Sequence, residues 1–353
     1  MQQARRSGGS DLAVKLTFHG AARGVTGSCM RLNTKRADVL IDCGMFQGSK
    51  TLKAMNYDAF PFKPAKLDAV LLTHAHIDHS GLLPKLMLAG YAGPIYATAG
   101  TRALCAVMLP DSGAIQEMEV ETLNRRNERR GLPTVTPIYT AADAQDAMRL
   151  FTSVAFDAWI EVAPGVRARW WDAGHILGSA SIELEVREQD EDDPTRLLFS
   201  GDVGPGGRDY ADDPQGPAGI DHLILESTYG GVERAVTSPE ARRAALAAEV
   251  KAAHAAGGPL VIPAFAVERT QELLADLIQL MEDVAAPPGP IFLDSPLAIK
   301  ATNVFLAQGY GADGANPFAR LRESRLLRFT ESAQESREIE RVKGWHVIIA
   351  ASG

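Results

Sequence analysis

The sequence predicts an α/β protein built from two units. Three observations carry that expectation. The chain has 353 residues, more than one ordinary core accommodates. Up to Glu226 it is dominated by short apolar strands, and after Ser238 strands alternate with helices, the pattern of a parallel sheet with helical crossovers. Several apolar strands also end in a ligand-type residue beside glycine, which lets backbone approach closely at a shared site.

Taken in order, Val14 to Phe18 alternates as a strand and leads into the glycine-rich loop Gly20 to Ser28. Cys29 to Leu32 and Asp38 to Gly44 read as a hairpin and a core strand, and Asp68 to Thr73 as a buried strand. Leu82 to Leu88 is helical and stops at Gly90; Pro94 to Thr98 is a strand. Two helices follow, Thr101 to Leu109 and Ala114 to Arg130, the second closed by Pro133 and Pro137. Ala141 to Leu150 is helical; Val166 to Asp172, Ser181 to Val186 and Arg196 to Ser200 are strands, with an acidic hairpin tip over Glu188 to Asp193. Leu223 to Glu226 reads as another core strand.

The pattern then changes. Ser238 to Ala256 is an Ala-rich helix; strands at Leu260 to Pro263, Ile291 to Asp294 and His346 to Ala350 alternate with helices at Arg269 to Met281 and Leu297 to Leu306. A boundary between Glu226 and Ser238 divides the chain into a disordered leader (1–12), a first domain (13–232) and a second (233–353).

Composition narrows the setting. The net charge of −8 requires any nucleic-acid contact to come from a local basic patch. Cys29, Cys43 and Cys105 show no C-x-x-C spacing, which disfavours a disulfide framework or a thiolate metal site and fits a reducing cytoplasm. No apolar run approaches the ~20 residues that span a bilayer, so no membrane role is expected.

The chemistry concentrates in His74-Ala-His76-Ile-Asp78-His79, a ligand-dense loop after a core strand. His74 and His76, two apart in extended chain, point to one side. Asp78 and His79 follow the turn and face a neighbouring position, so one loop feeds two adjacent metals. His175 completes the first site, Asp202 bridges both, and Asp42 serves better as an acceptor orienting a ligand histidine than as a ligand. Imidazole and carboxylate without thiolate suit zinc, and also manganese or iron. His19, His222, His254 and His346 lie apart from these segments and read as ordinary structural or surface histidines.

These residues carry a resemblance. His74-x-His76-x-Asp78-His79 with Asp42, His175 and Asp202 resembles the metallo-β-lactamase superfamily pattern. Glu226-Ser-Thr-Tyr-Gly230 resembles motif A of its β-CASP nuclease branch, Ala173 to Ala180 the segment around that branch's third metal-binding histidine, and Gly20 to Cys29 its first loop. The implied fold is a four-layer αββα metallo-β-lactamase domain with an inserted β-CASP α/β domain. The implied activity is hydrolysis of RNA phosphodiesters, on single-stranded RNA, with two zincs as cofactors. A metal-activated water is the expected nucleophile, with Asp78 orienting it and Glu226 orienting the proton donor. Arg269, in a segment like the family's Arg-Thr-Gln-Glu helix start, and Ser295, in an Asp-Ser-Pro turn, are expected RNA contacts at helix N-termini; plain helix capping is the alternative. The arginines at 320, 322, 325 and 328 are a further candidate surface, weighed against a solvated helix face. Family members continue past an Ala-Ser-Gly turn like 351–353 into histidine-bearing motifs B and C, so further ligands are expected beyond Gly353. A thioesterase- or lactonase-type hydrolase and a catalytically silent scaffold are the alternative functions, and a homodimer is left open.

Overall fold

A computed structural model describes residues 14–187, 193–233, 237–308, 316 and 318–352. The leader over 1–12 and most of the acidic tip over 188–193 lie outside the described residues.

The first sheet holds β1 (Val14–Phe18), β2 (Met30–Thr34), β3 (Asp38–Ile41), β4 (Ala69–Leu71), β5 (Ile95–Thr98) and β6 (Phe151–Val154), side by side in that order. The strands are antiparallel as far as β3 and parallel from β3 to β6. Between them run α1 (Lys50–Met55), α2 (Ile77–Ser80), α3 (Leu83–Leu88), α4 (Ala99–Glu128) and α5 (Ala141–Ala147). The second sheet holds β7 (Ile160–Ala163), β8 (Val166–Asp172), β9 (Ala180–Val186), β10 (Thr195–Phe199) and β11 (His222–Ile224), antiparallel except for the parallel β10–β11 pair.

These two sheets pack face to face. Val39, Ile41, Ala69 and Leu71 meet Ala168, Trp170, Ile182, Leu184 and Phe199, all buried. Alternation along each strand sends these residues inward. A side chain such as Phe199 contributes about 1.5–3 kcal/mol by this burial. The opposite face of the first sheet, through Leu40, Val70, Leu72 and Ile95, packs on Leu83 and Leu86 of α3 and on Leu104, Cys105 and Leu109 of α4.

The third sheet is wholly parallel. It contains β12 (Leu260–Phe265), β13 (Ile291–Asp294), β14 (Leu327–Phe329) and β15 (Val347–Ser352) in the order β12-β15-β13-β14. Helix α6 (Pro239–Ala256) leads into it, and its crossovers include α7 (Arg269–Glu282), α8 (Pro296–Ala307), α9 (Ala319–Glu323) and α10 (Ala333–Ile339). Ser238 and Ser295 cap α6 and α8 by accepting from Ala241 N and Ala298 N, with proline at the first helical position of each.

The structure departs from the sequence reading in three places. The two helices expected around Pro110 are one, because both halves of α4 are anchored: Leu104, Cys105, Met108 and Leu109 before the turn, Gln116 and Val120 after it. That burial outweighs the hydrogen bond lost at proline. Strands β6, β7 and β14 and helices α1, α9 and α10 went unread because they are short, from 3 to 7 residues. Finally, the expected core strand at Leu223 to Glu226 is an edge strand, with Leu223 57% and Leu225 62% exposed. Apolar letters signal a strand, but only a covering neighbour makes it a core one.

Candidate metal centre

Parallel pairing of β3 with β4 brings their carboxyl ends together. Asp42 N donates to Leu71 O (3.0 Å), and Thr73 N donates to Asp42 Oδ1 (2.9 Å). The second sheet joins here, since Ala180 N donates to Thr73 O (2.9 Å). Gly44 seats the histidine loop: a Cβ there would stand 1.7 Å from Asp78 O, so only glycine fits.

Asp42 is fully buried, at φ 59°, in the left-handed region. Its carboxylate accepts from Ser28 Oγ (3.0 Å), Thr73 N and Thr73 Oγ1 (3.0 Å), and faces His79 Nδ1 at 2.7 Å. Those partners hold the His79 ring so that Nε2 points at Asp202 Oδ1, 3.3 Å away. Burial lowers the His79 pKa, but the Asp42 and Asp202 carboxylates more than reverse this and push it up to about 10. Positive charge therefore belongs between His79 and Asp202, and a cation can replace the proton there.

The other three histidines behave differently. His74 Nε2 and His175 Nε2 lie 3.1 and 3.2 Å from His76 Nδ1, so three ring nitrogens converge. Burial, then His175 and His79, push the His76 pKa down to about 3; burial leads the lowering at His74 and His175 too. These imidazoles are held neutral, the form that ligates metal. Asp202 Oδ2 sits 3.8 Å from His74 Nε2 and 3.6 Å from His175 Nε2. Ligand atoms of His74, His76, His175 and Asp202 all fall within 4.8 Å of one another. Three nitrogens and an oxygen, without thiolate, fit a divalent cation such as zinc, manganese or iron. Asp202 is 32% and His175 26% exposed at the side chain, so the cluster opens to solvent on one side, as a catalytic site requires.

Asp78 stands in the first turn of α2, outside this group of four. Burial raises its carboxyl pKa; His79 opposes that and Asp202 adds to it. Glu226 follows β11, with its N–H bonded to Ser200 Oγ (2.9 Å) and its carboxylate accepting from Thr228 N (2.8 Å). Its charge reaches His175 and raises the imidazole pKa against the larger effect of burial. The loop over 173–179 is held by Ser179 Oγ, which accepts from His175 N (3.0 Å), and by Thr101 Oγ1, which donates to Gly178 O (2.8 Å).

Among the predicted RNA contacts, Arg269 is 57% exposed at the side chain and pairs with Glu272 (3.0 Å), whereas Ser295 is buried with its hydroxyl engaged in capping α8. Arg320, Arg322, Arg325 and Arg328 are all exposed. His19, His222, His254 and His346 lie outside the cluster. Sequence reading missed Ser28, Thr73, Arg208 and Glu268, which support the site through contacts made across long sequence separations.

Comparison with known proteins adds to this geometry. Residues 22–150 match the family model for the metallo-beta-lactamase superfamily, and residues 270–353 match that for the Beta-Casp domain. Ribonuclease TTHA0252 of Thermus thermophilus is 33% identical over 349 residues, an alignment that covers 96% of this chain and 73% of that protein. The chain belongs to the β-CASP branch of the metallo-β-lactamase superfamily. A second β-CASP relative, the transcription termination factor FttA of Methanocaldococcus jannaschii, is 29% identical over 97% of this chain, which spans 52% of its length. A crystal structure of a protein of unknown function from Enterococcus faecalis shares the fold, with a TM-score of 0.53 at 14% identity over 95% of this chain and 76% of that one. Membership in the metallo-β-lactamase superfamily implies divalent metal binding. Among the described residues no helix is long and apolar enough to cross a membrane.

Proposed function

We propose that this chain cleaves phosphodiester bonds of RNA by divalent-metal-dependent hydrolysis. The convergence of His74, His76, His175 and Asp202 beside a parallel-sheet unit carries the reading, and the ribonuclease named among the relatives supports it. Zinc is the proposed metal at both positions, with manganese or iron also matching the donors. His74, His76, His175 and Asp202 would hold one ion, and Asp78, His79 and Asp202 would offer donors for a second. Bound ions supply Lewis acidity and a nucleophilic water near neutral pH. The protein's own part is positional. Asp42 fixes the His79 ring, Asp78 orients the water, and Glu226, whose charge reaches His175, orients proton delivery to the leaving oxygen.

Single-stranded RNA reaches the cluster from its open side, with Arg269 and the α7 and α8 N-termini around Ser295 meeting backbone phosphates. The domain division between Glu226 and Ser238 is supported by the change of sheet there: β11 belongs to the second sheet and α6 leads into the third. Three free buried cysteines suit a reducing cytoplasm.

The test is cleavage of end-labelled single-stranded RNA with and without chelator, beside a thioester substrate. Cleavage of RNA that chelator abolishes and zinc restores is the expected result. Thioester turnover without RNA cleavage would replace this reading with a small-molecule hydrolase.

A further inference from the structure

The loop that follows Asp202 does more than carry that ligand. It packs directly against the His175 loop: Gly204 N donates to Ala173 O (2.8 Å), and a Cβ at Gly204 would stand 1.7 Å from Gly174 O. Four residues further, the Arg208 side chain is only 11% exposed. Its Nη1 donates to the main-chain carbonyls of Gly174 (3.0 Å) and His175 (2.7 Å). Its Nη2 donates to Glu268 Oε1 (2.7 Å), and its Nε to Glu272 Oε1 (2.9 Å). Glu268 and Glu272 stand at the N-terminal end of α7, next to the third sheet. One planar guanidinium thus joins the loops bearing two metal-ligand candidates to a helix of the parallel-sheet unit, a task its fixed fork of donors suits.

Glu268 reaches the same loop itself. Its Oε2 accepts from Leu177 N (3.1 Å), two residues after His175. It is buried, and its φ is 69°, a conformation that side-chain-bearing residues rarely adopt. Glu272 also pairs through Oε2 with Arg269, which links the clamp to a surface arginine. The neighbouring residues form a separate tie: Tyr210 Oη donates to Asp276 Oδ1 (2.9 Å), and Asp209 pairs with Arg243. That second tie holds the same loop to α6 and α7 without a hydrogen bond to the His175 loop.

We infer that Arg208 is a positioning residue which sets the His175 ligand geometry from the parallel-sheet unit. The inference rests on the metal centre proposed above. Groups that orient metal ligands change affinity by about 10- to 100-fold when removed. An arginine that merely fastened two units together would act on stability alone.

Cobalt(II) binding to the metal-free protein, followed by its visible d–d absorption, separates the two. Arg208→Met is expected to weaken cobalt binding about 10- to 100-fold and to alter the absorption envelope. Tyr210→Phe, which loosens the second tie, is expected to bind as the wild type does. In a His175→Ala background, Arg208→Met is expected to cost nothing further, because the two act through one ligand. If Arg208→Met does not fold, Arg208→Lys keeps the charge, loses the fork and is read by the same criteria. Wild-type affinity in the Arg208 variant overturns the coupling, as does an equal loss in Tyr210→Phe or full additivity with His175→Ala. A wild-type protein that binds no cobalt overturns the metal centre itself, and the coupling with it.

Discussion

Asp42 Oδ2 lies 2.7 Å from His79 Nδ1, and the contact leaves Nε2 as the nitrogen that meets Asp202. The carboxylate is fully buried and accepts from Ser28 and Thr73 as well, so its orientation is over-determined. Asp42→Asn replaces one acceptor oxygen by a donor, which must then confront either Thr73 N–H or a protonated His79 Nδ1. Metal affinity is expected to fall about 10- to 100-fold, measured by competition with a chromophoric chelator. Unchanged affinity would show that His79 needs no such partner.

Glu226→Gln tests a different role. The glutamate carboxylate reaches His175 only as a distant charge, while its own oxygen accepts from Thr228 N. Turnover of RNA is expected to drop by about 100-fold, within the range typical of a lost acid–base partner, with metal content intact. Metal analysis alongside rate measurement checks both halves, and full activity would remove Glu226 from the reaction.

Gly44 offers a steric test. A methyl group there meets the Asp78 carbonyl at 1.7 Å, and neither backbone can yield without moving the histidine loop. Gly44→Ala is expected to destabilise the fold by about 1–3 kcal/mol or more and to lose metal as well. Thermal unfolding with and without zinc reads both effects.

Glu268 predicts a pH dependence. Burial pushes its carboxyl up to about 7, with Arg208 only partly opposing. The folded pKa is raised above the unfolded one, so this group's stabilising contribution is full below the unfolded value near 4.5 and is lost as pH rises to about 7. The loss amounts to up to about 3 kcal/mol, at 1.36 kcal/mol per pKa unit. Urea unfolding of wild type and Glu268→Gln between those limits should show the wild type falling relative to the variant. Parallel curves would mean that Glu268 does not titrate in that window.

Metal removal is expected to loosen the cluster selectively. His79 and Asp202 would retain a proton between them, whereas His74, His76 and His175 would be left as uncharged rings crowded on one another. Amide exchange in metal-free protein should therefore quicken over 74–79 and 173–179 more than in β8 and β9 of the sheet sandwich. Uniform exchange would contradict the localisation.

Much of this protein was legible in its residues. Period-two alternation marked β1, β8 and β9, and serine caps with proline at the first turn marked α6 and α8, because those signals are local. The metal-ligand types were legible for the same reason: three histidines within six residues need no distant partner to be noticed. Tertiary structure decided the rest. It showed that Leu223 and Leu225 face outward, that one helix runs through Pro110, and that Ser295 is spent on a cap. It also brought Arg208 to His175 and Glu268, and His79 to Asp42, pairs separated by 33, 60 and 37 residues. A sequence declares which groups can bind a cation. Which nitrogen faces it, and what holds the ring there, depends on hydrogen bonds between strand ends and loops that meet only after the sheets have packed.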